Sequence, residues 1–232
     1  MIKYGLTLFT AVMVLSSCEN ENSQGNSENV INENAATFKE IGTITIGATG
    51  AAEISAYDEV SKKLFTVNNS GTNKIDVIDL SNPSTPVLLA SIDLVTYNGA
   101  ANSVATFNGK LAVAMESTVS KQDSGKVLVF DTTTYSLIKQ ITVGALPDMI
   151  TFSADGKFIL TANEGEPNDD YSKDPDGTVS IIEVSNNYAV TTLDFSSFSS
   201  QLSTLKANGF RIASFMNYSE RFVIIIIIIP SS

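Results

Sequence analysis

The sequence predicts an all-β protein, a β-propeller built from four-stranded blades, and three observations carry that prediction. Lys63-Leu64-Phe65-Thr66-Val67, Lys110-Leu111-Ala112-Val113-Ala114 and Lys157-Phe158-Ile159-Leu160-Thr161 begin 47 residues apart each time. Each is followed by a second apolar run that ends in an acid, at Asp79, Asp131 and Glu183, 52 residues apart. Short β-branched runs separated by Gly, Asn, Asp and Pro at a period of roughly 40 to 50 residues mark radially repeated sheets. About three blades can be identified, an incomplete ring.

Each repeat divides into four strands. In the first they are Ala52 to Tyr57, Leu64 to Asn68, Lys74 to Leu80 and Val87 to Asp93; in the second, Asn102 to Phe107, Leu111 to Met115, Lys126 to Asp131 and Leu137 to Val143. The third offers Asp148 to Phe152, Phe158 to Ala162, Thr178 to Val184 and Tyr188 to Leu193. Asn108-Gly109, Asp155-Gly156 and Asp176-Gly177 supply the positive-φ turns that tight hairpins need. Helical periodicity is weak and confined to Phe195 to Lys206. Ile41 to Ile46 fits the N-terminal strand that completes the last blade in this architecture, although the rest of that blade is not identifiable.

Composition narrows the function classes. The chain has 232 residues, 43% hydrophobic and 17% charged, an ordinary globular balance. A net charge of -11 makes nucleic acid and anionic lipid poor partners. There is no histidine, so neither a Ser-His-Asp triad nor a histidine-based zinc or haem site can be built.

Residues 1–17 read as an export signal: Lys3 gives the positive start, Leu6 to Leu15 the apolar stretch, Ser16-Ser17 the small residues before cleavage. Leu15-Ser16-Ser17-Cys18 resembles the bacterial lipobox, in which the cysteine is lipidated and becomes the mature N-terminus. Cys18 is the only cysteine in the chain, and two or three acyl chains at about 0.8 kcal/mol per buried methylene would anchor it stably. The expected location is therefore the cell envelope, with the protein exported and anchored to a bacterial membrane, the outer membrane. Residues 18–37 read as a disordered tether: Glu19 to Asn34 holds four glutamates, six asparagines and no base.

One stretch carries a family likeness. Pro147-Asp148-Met149-Ile150-Thr151-Phe152-Ser153-Ala154-Asp155-Gly156-Lys157, continuing through Asn163-Glu164 to Thr178-Val179-Ser180-Ile181-Ile182, resembles a YVTN-type propeller blade. With Glu164-Gly165-Glu166-Pro167-Asn168-Asp169-Asp170-Tyr171 and Asp174-Pro175-Asp176-Gly177 it is similar, more narrowly, to the choice-of-anchor I family of bacterial surface proteins. The likeness spans residues 38–212, the expected partial propeller, and implies an exported propeller; some such relatives are labelled alkaline-phosphatase-like. It ends at Ile212. The apolar tail of residues 213–232, with Phe222-Val223 and the isoleucines 224–229, departs from the family and reads as a frameshifted or truncated frame. Without neighbouring blades, the flanks of the first and third repeats are expected to stay open and favour association.

The repeat also lets candidate site residues be placed. Glu53, Ser103 and Asp148 fall at the start of the inner strand, while Asn69, Glu116 and Asn163 end the second strand, on the same face; Glu164 and Glu166 continue that loop. Like charges about 5 Å apart repel by roughly 1 kcal/mol in water and about 3 at a semi-buried dielectric, so the group calls for a cation or raised pKa values. Oxygen-only ligands favour calcium, so Glu53, Glu116, Asp148, Glu164 and Glu166 form the candidate metal set with Ca2+ as its cofactor; the alternative is solvated loop ends. The loop Glu164 to Gly177, with six acids, is either a hairpin tip or a calcium-ordered lid. Asp76, Asp79, Asp131 and Glu183 read as strand-end turn residues. The function expected is a binding or interaction scaffold taking a small molecule or a protein on this face; the alternative is a metal-dependent phosphoester hydrolase or its inactive fragment.

Overall fold

The computed structural model describes residues 35–209. The export signal, Cys18, the tail 213–232 and all of the tether but its last three residues lie outside them. Those three, Ala35–Thr37, form a single 3-10 turn. From residue 40 onward the chain forms a separate unit, described on its own below.

Twelve strands form three antiparallel four-stranded sheets, each in simple sequence order. The first blade holds β1 (Ala51–Asp58), β2 (Lys63–Asn68), β3 (Lys74–Asp79) and β4 (Val87–Asp93). The second holds β5 (Gly99–Phe107), β6 (Lys110–Ser117), β7 (Ser124–Asp131) and β8 (Leu137–Ala145). The third holds β9 (Pro147–Phe152), β10 (Phe158–Asn163), β11 (Thr178–Glu183) and β12 (Ala189–Leu193). All twelve predicted strands are present, with no end moved by more than three residues. The weak helical signal resolves into a 3-10 turn, Ser196–Gln201, followed by the short helix α1, Leu202–Ala207. No helix among the described residues is long and apolar enough to cross a membrane.

The second blade explains why the repeat is so apolar. It lies between two neighbours, so both faces of β6 are buried and its side chains alternate between them. Leu111, Val113 and Met115, with Leu128 and Phe130 of β7, pack against Phe65, Val67, Ile75 and Val77 of the first blade. Ala112 and Ala114, with Val127 and Val129, pack against Ile150, Ile159 and Ile182 of the third. Large side chains thus face one neighbour and small ones the other. Each buried Val, Leu, Ile, Phe or Met among them contributes about 1.5–3 kcal/mol, and these two clusters hold the three blades together.

Polar contacts fix the blades' alignment. Asp58, buried at the end of β1, accepts hydrogen bonds from Ser61 Oγ at 2.6 Å and from Thr132 Oγ1, beyond β7, at 2.9 Å. Lys63 Nζ donates to the Thr132 carbonyl at 3.1 Å and lies 4.7 Å from the centre of the Tyr135 ring. The lysine that opens the first repeat is thereby tied to the second blade.

The acids at the strand ends sort as expected with one exception. Asp79 accepts from the Ser81 amide, Asp131 from the Thr133 and Thr134 amides, and Glu183 from Asn186, all in turns. Asp76 is mid-strand and fully buried instead, held by Asn68 Nδ2 at 2.6 Å, Ser91 Oγ at 2.5 Å and Lys74 Nζ at 3.2 Å. A buried carboxylate with three such partners is a structural group of the first blade.

Candidate functional site

The site is built where the inner strands begin and the second strands end. Register there differs from the simple 47-residue spacing. Lys63 and Lys110 stand opposite the terminal acids Asp79 and Asp131, but in the third blade Phe158 stands opposite Glu183. Lys157 is drawn into the preceding turn, where its amide and ammonium both bond Asp155, at 3.1 and 2.7 Å. The whole of β10 is thereby offset by one. Glu164, rather than Asn163, is the counterpart of Asn69 and Glu116, and Asn163 is the counterpart of Asn68 and Met115.

The inner strands are corrected in the same way. Register steps over Asn102 in β5 and over Asp148 in β9, with Ala101 opposite Met115 and Pro147 opposite Asn163. Asn102, not Ser103, is thus the match of Asp148; Ser103 pairs with Ala114 and is buried. In β1 the irregular stretch lies between Ala51 and Ser55 and includes Glu53. A bulge at this point re-aims the extra residue's side chain out of the ladder, which is how Glu53, Asn102 and Asp148 become available.

The amides in these rows join blade to blade. Asn69 Nδ2 donates to the Ala101 carbonyl at 3.0 Å, and Asn102 Nδ2 to the Pro147 carbonyl at 3.3 Å. Asn102 also donates to Glu116 Oε2 at 3.4 Å. Glu116 is then paired with Lys121 at 3.8 Å, and the same ammonium lies 3.9 Å from Glu166 Oε2. Gln122 Nε2 donates to the Glu166 carbonyl at 3.0 Å, pinning the third-blade loop to the second.

Glu164 sits within this arrangement. Partial desolvation, then the charges of Asp148 and Glu166, push its carboxyl above the ordinary carboxylate value, and Lys121 partly offsets them. Of the five predicted residues, Glu116, Asp148, Glu164 and Glu166 therefore share one electrostatic neighbourhood. Glu53 is exposed and makes no hydrogen bond or ion pair with them. Among the described residues, no three carboxylates converge closely enough to share a metal ion. The residues missed by sequence reasoning are Asn102, Lys121 and Gln122. Lys121 was legible only as a base in a loop beside Glu116, since nothing in the repeat marks its reach to Glu166.

The loop after β10 is ordered by its own bonds. Asn168 accepts the Lys173 amide at 2.9 Å and donates to Ser172 Oγ at 3.0 Å, while Asp170 Oδ1 accepts the Ser172 amide at 3.0 Å. Gly165 has φ +66°, and a Cβ there would lie 2.4 Å from the Pro175 carbonyl, so the two limbs of the loop close at a residue only glycine can supply. Tyr171 remains exposed at the tip.

Solved structures of modest similarity include a hydrazine synthase of Kuenenia stuttgartiensis, at 13% identity with 62% of this chain and 54% of that one covered and a TM-score of 0.39. Hsv2 of Kluyveromyces lactis is similar at 12% identity over 64% and 37% of the two chains, TM-score 0.39. A hypothetical selenium-binding protein of Sulfolobus tokodaii is similar at 9% identity over 58% and 33%, TM-score 0.43. The chain thus covers about half or less of the length of these structures. No curated protein matches it. The model of the choice-of-anchor I domain matches residues 53–221. That span runs from the irregular start of β1 through all three blades, and by it the chain belongs to the choice-of-anchor I family of surface-associated, propeller-like proteins.

Proposed function

We propose that this protein is a binding scaffold of the bacterial cell envelope, held to the membrane through lipid on Cys18, which presents the face built from the starts of the inner strands to a small-molecule or protein ligand. The observation that carries the reading is the bridge made by Lys121 between Glu116 and Glu166. Its single positive charge offsets one of the two carboxylate charges and leaves Asp148 and Glu164 as acceptors beside it. Such a face suits a ligand with cationic or hydrogen-bond-donor groups. Calcium enters the proposal as a competitor of Lys121 at Glu116 and Glu166, both oxygen ligands suited to it.

Three measurements test the reading. Cys18→Ala should release the protein from the membrane fraction or stall its processing, and unchanged, detergent-requiring membrane association would overturn the anchor. Millimolar calcium should raise the thermal midpoint, because a ligand that binds only the folded state stabilises it by mass action; Glu116→Gln with Glu166→Gln should erase that gain. Calcium-dependent turnover of p-nitrophenyl phosphate by the parent, lost in the same double variant, would replace the scaffold by the phosphoester hydrolase.

A further inference from the structure

The chain enters the blades at the end away from the candidate site. In the first blade Lys63 pairs with Asp79 and Asn68 with Lys74, so the turn between β3 and β4 and the end of β2 are opposite ends of the sheet. Gly42 lies against that turn: a Cβ built on it would come 2.2 Å from the Pro83 carbonyl and 3.1 Å from Ser84. By Ile46 the segment has reached the other end. The Asn68 side-chain amide donates to the Ile46 carbonyl at 3.0 Å, and a Cβ on Gly47 would lie 3.6 Å from Ser70. The Gly50 carbonyl then accepts the backbone N–H of Asn69 at 3.0 Å, where β1 begins.

The candidate site occupies this second end. In the second blade Lys121 lies in the loop between β6 and β7, while the turn between β7 and β8 lies at the entry end, beyond Asp131. The eight residues of β7 separate the two ends by about 25 Å. The ends also differ in charge. Lys62, Lys63, Lys110 and Lys157 fall at the entry end, interspersed with its acids, whereas the loop Glu164 to Gly177 at the site end sets six acids against Lys173.

We propose that the anchored protein stands with its entry end toward the membrane and the face of Glu116, Lys121, Asp148 and Glu164 turned outward. The site then takes a cationic or hydrogen-bond-donating ligand that arrives from the aqueous side, and not a neighbour embedded in the same membrane. This rests on the lipid at Cys18 proposed above and adds a direction to it. Residues 18–41 extend over at most about 80 Å, and a flexible linker of that length averages about 25–30 Å end to end. To lay the site on the bilayer, the same stretch would also have to run the length of the blade. The acidic loop would then meet the negative surface of an anionic membrane.

The test uses one introduced cysteine at a time, since Cys18 is the only other and its sulfur carries the lipid. Thr133→Cys lies exposed in the turn between β7 and β8, and Val119→Cys, at a position 83% exposed, between β6 and β7. Each lipidated chain is labelled with a fluorescent donor and reconstituted in phosphatidylcholine–phosphatidylglycerol vesicles carrying an acceptor on a lipid headgroup. Both labels sit on one blade, so lateral position cancels. Energy transfer from Thr133→Cys should exceed that from Val119→Cys by about twofold or more, given the 25 Å between the ends. Equal transfer, or more from Val119→Cys, in protein that floats with the vesicles would overturn the orientation while leaving the anchor standing. Protein that does not float would overturn the anchor and the orientation with it.

Discussion

Asn102 repeats, one blade further on, the bond that Asn69 makes: each side-chain amide donates to the carbonyl of the residue just before the register step in the next inner strand, Ala101 for Asn69 and Pro147 for Asn102. The two asparagines come from different strands, β5 supplying Asn102 and the end of β2 supplying Asn69, so the equivalence is one of target rather than of donor. In the third blade the corresponding positions are the acids Asp148 and Glu164, which have no side-chain amide to donate.

Asn69→Ala and Asn102→Ala should each cost about 1 kcal/mol, the net worth of an ordinary hydrogen bond. Urea unfolding measures it. Asn102→Ala should in addition alter the pairing of Glu116 with Lys121, because it removes a second donor to the same carboxylate oxygen.

Thr132→Val should cost about 2 kcal/mol, as it removes a hydrogen bond to a charged group and leaves Asp58 buried with one donor fewer. Burial alone would raise the Asp58 pKa, but hydrogen bonds from Ser61, Thr132 and Gly109 outweigh it and hold the carboxyl below its ordinary value of 3.8. A depressed folded pKa gives stability that is present above the unfolded value and lost as pH falls through the folded one. The parent should therefore lose midpoint temperature below about pH 4 more steeply than Asp58→Asn does, as thermal melts between pH 2 and 7 would show.

Glu164 has the opposite sign. Its raised pKa means that the ionised form is disfavoured in the folded protein, so the stability it contributes is lost as pH rises from the ordinary value of 4.5 through the folded one. Glu164→Gln should be more stable than the parent at pH 7 and indistinguishable from it below about pH 4. Lys121→Gln removes the offsetting charge and should move the Glu164 titration further upward, which carboxyl chemical shifts followed by NMR would report.

Gly156→Ala should destabilise by about 2 kcal/mol or more, combining a backbone at φ +68° with a Cβ placed 2.0 Å from the Phe107 ring. Phe107 itself stacks at 5.7 Å on Phe152 of the third blade, so the turn and the joint between blades are one packing unit. Measured against Phe107→Ala alone, adding Gly156→Ala should cost only the backbone part in a denaturant titration.

The blades were legible in the sequence because a strand inside a propeller is buried on both faces. Its residues are then apolar without interruption, as in Leu111-Ala112-Val113-Ala114-Met115, and the turn residues that separate such runs recur at the same period. The acidic character of the loop face was legible as well, since Glu116, Asp148, Glu164 and Glu166 follow from their positions relative to those runs. Tertiary structure decided the register. Whether Lys157 opens β10 or closes the turn before it depends on its bonds to Asp155, and that choice moved Glu164 into line with Glu116 and Asn163 out of it. It also decided which charge answers the acids. Lys121 meets Glu166 across two blades at a separation in sequence that no spacing rule encodes, because the contact exists only once the hydrophobic faces of β6 and β10 have brought their loops together.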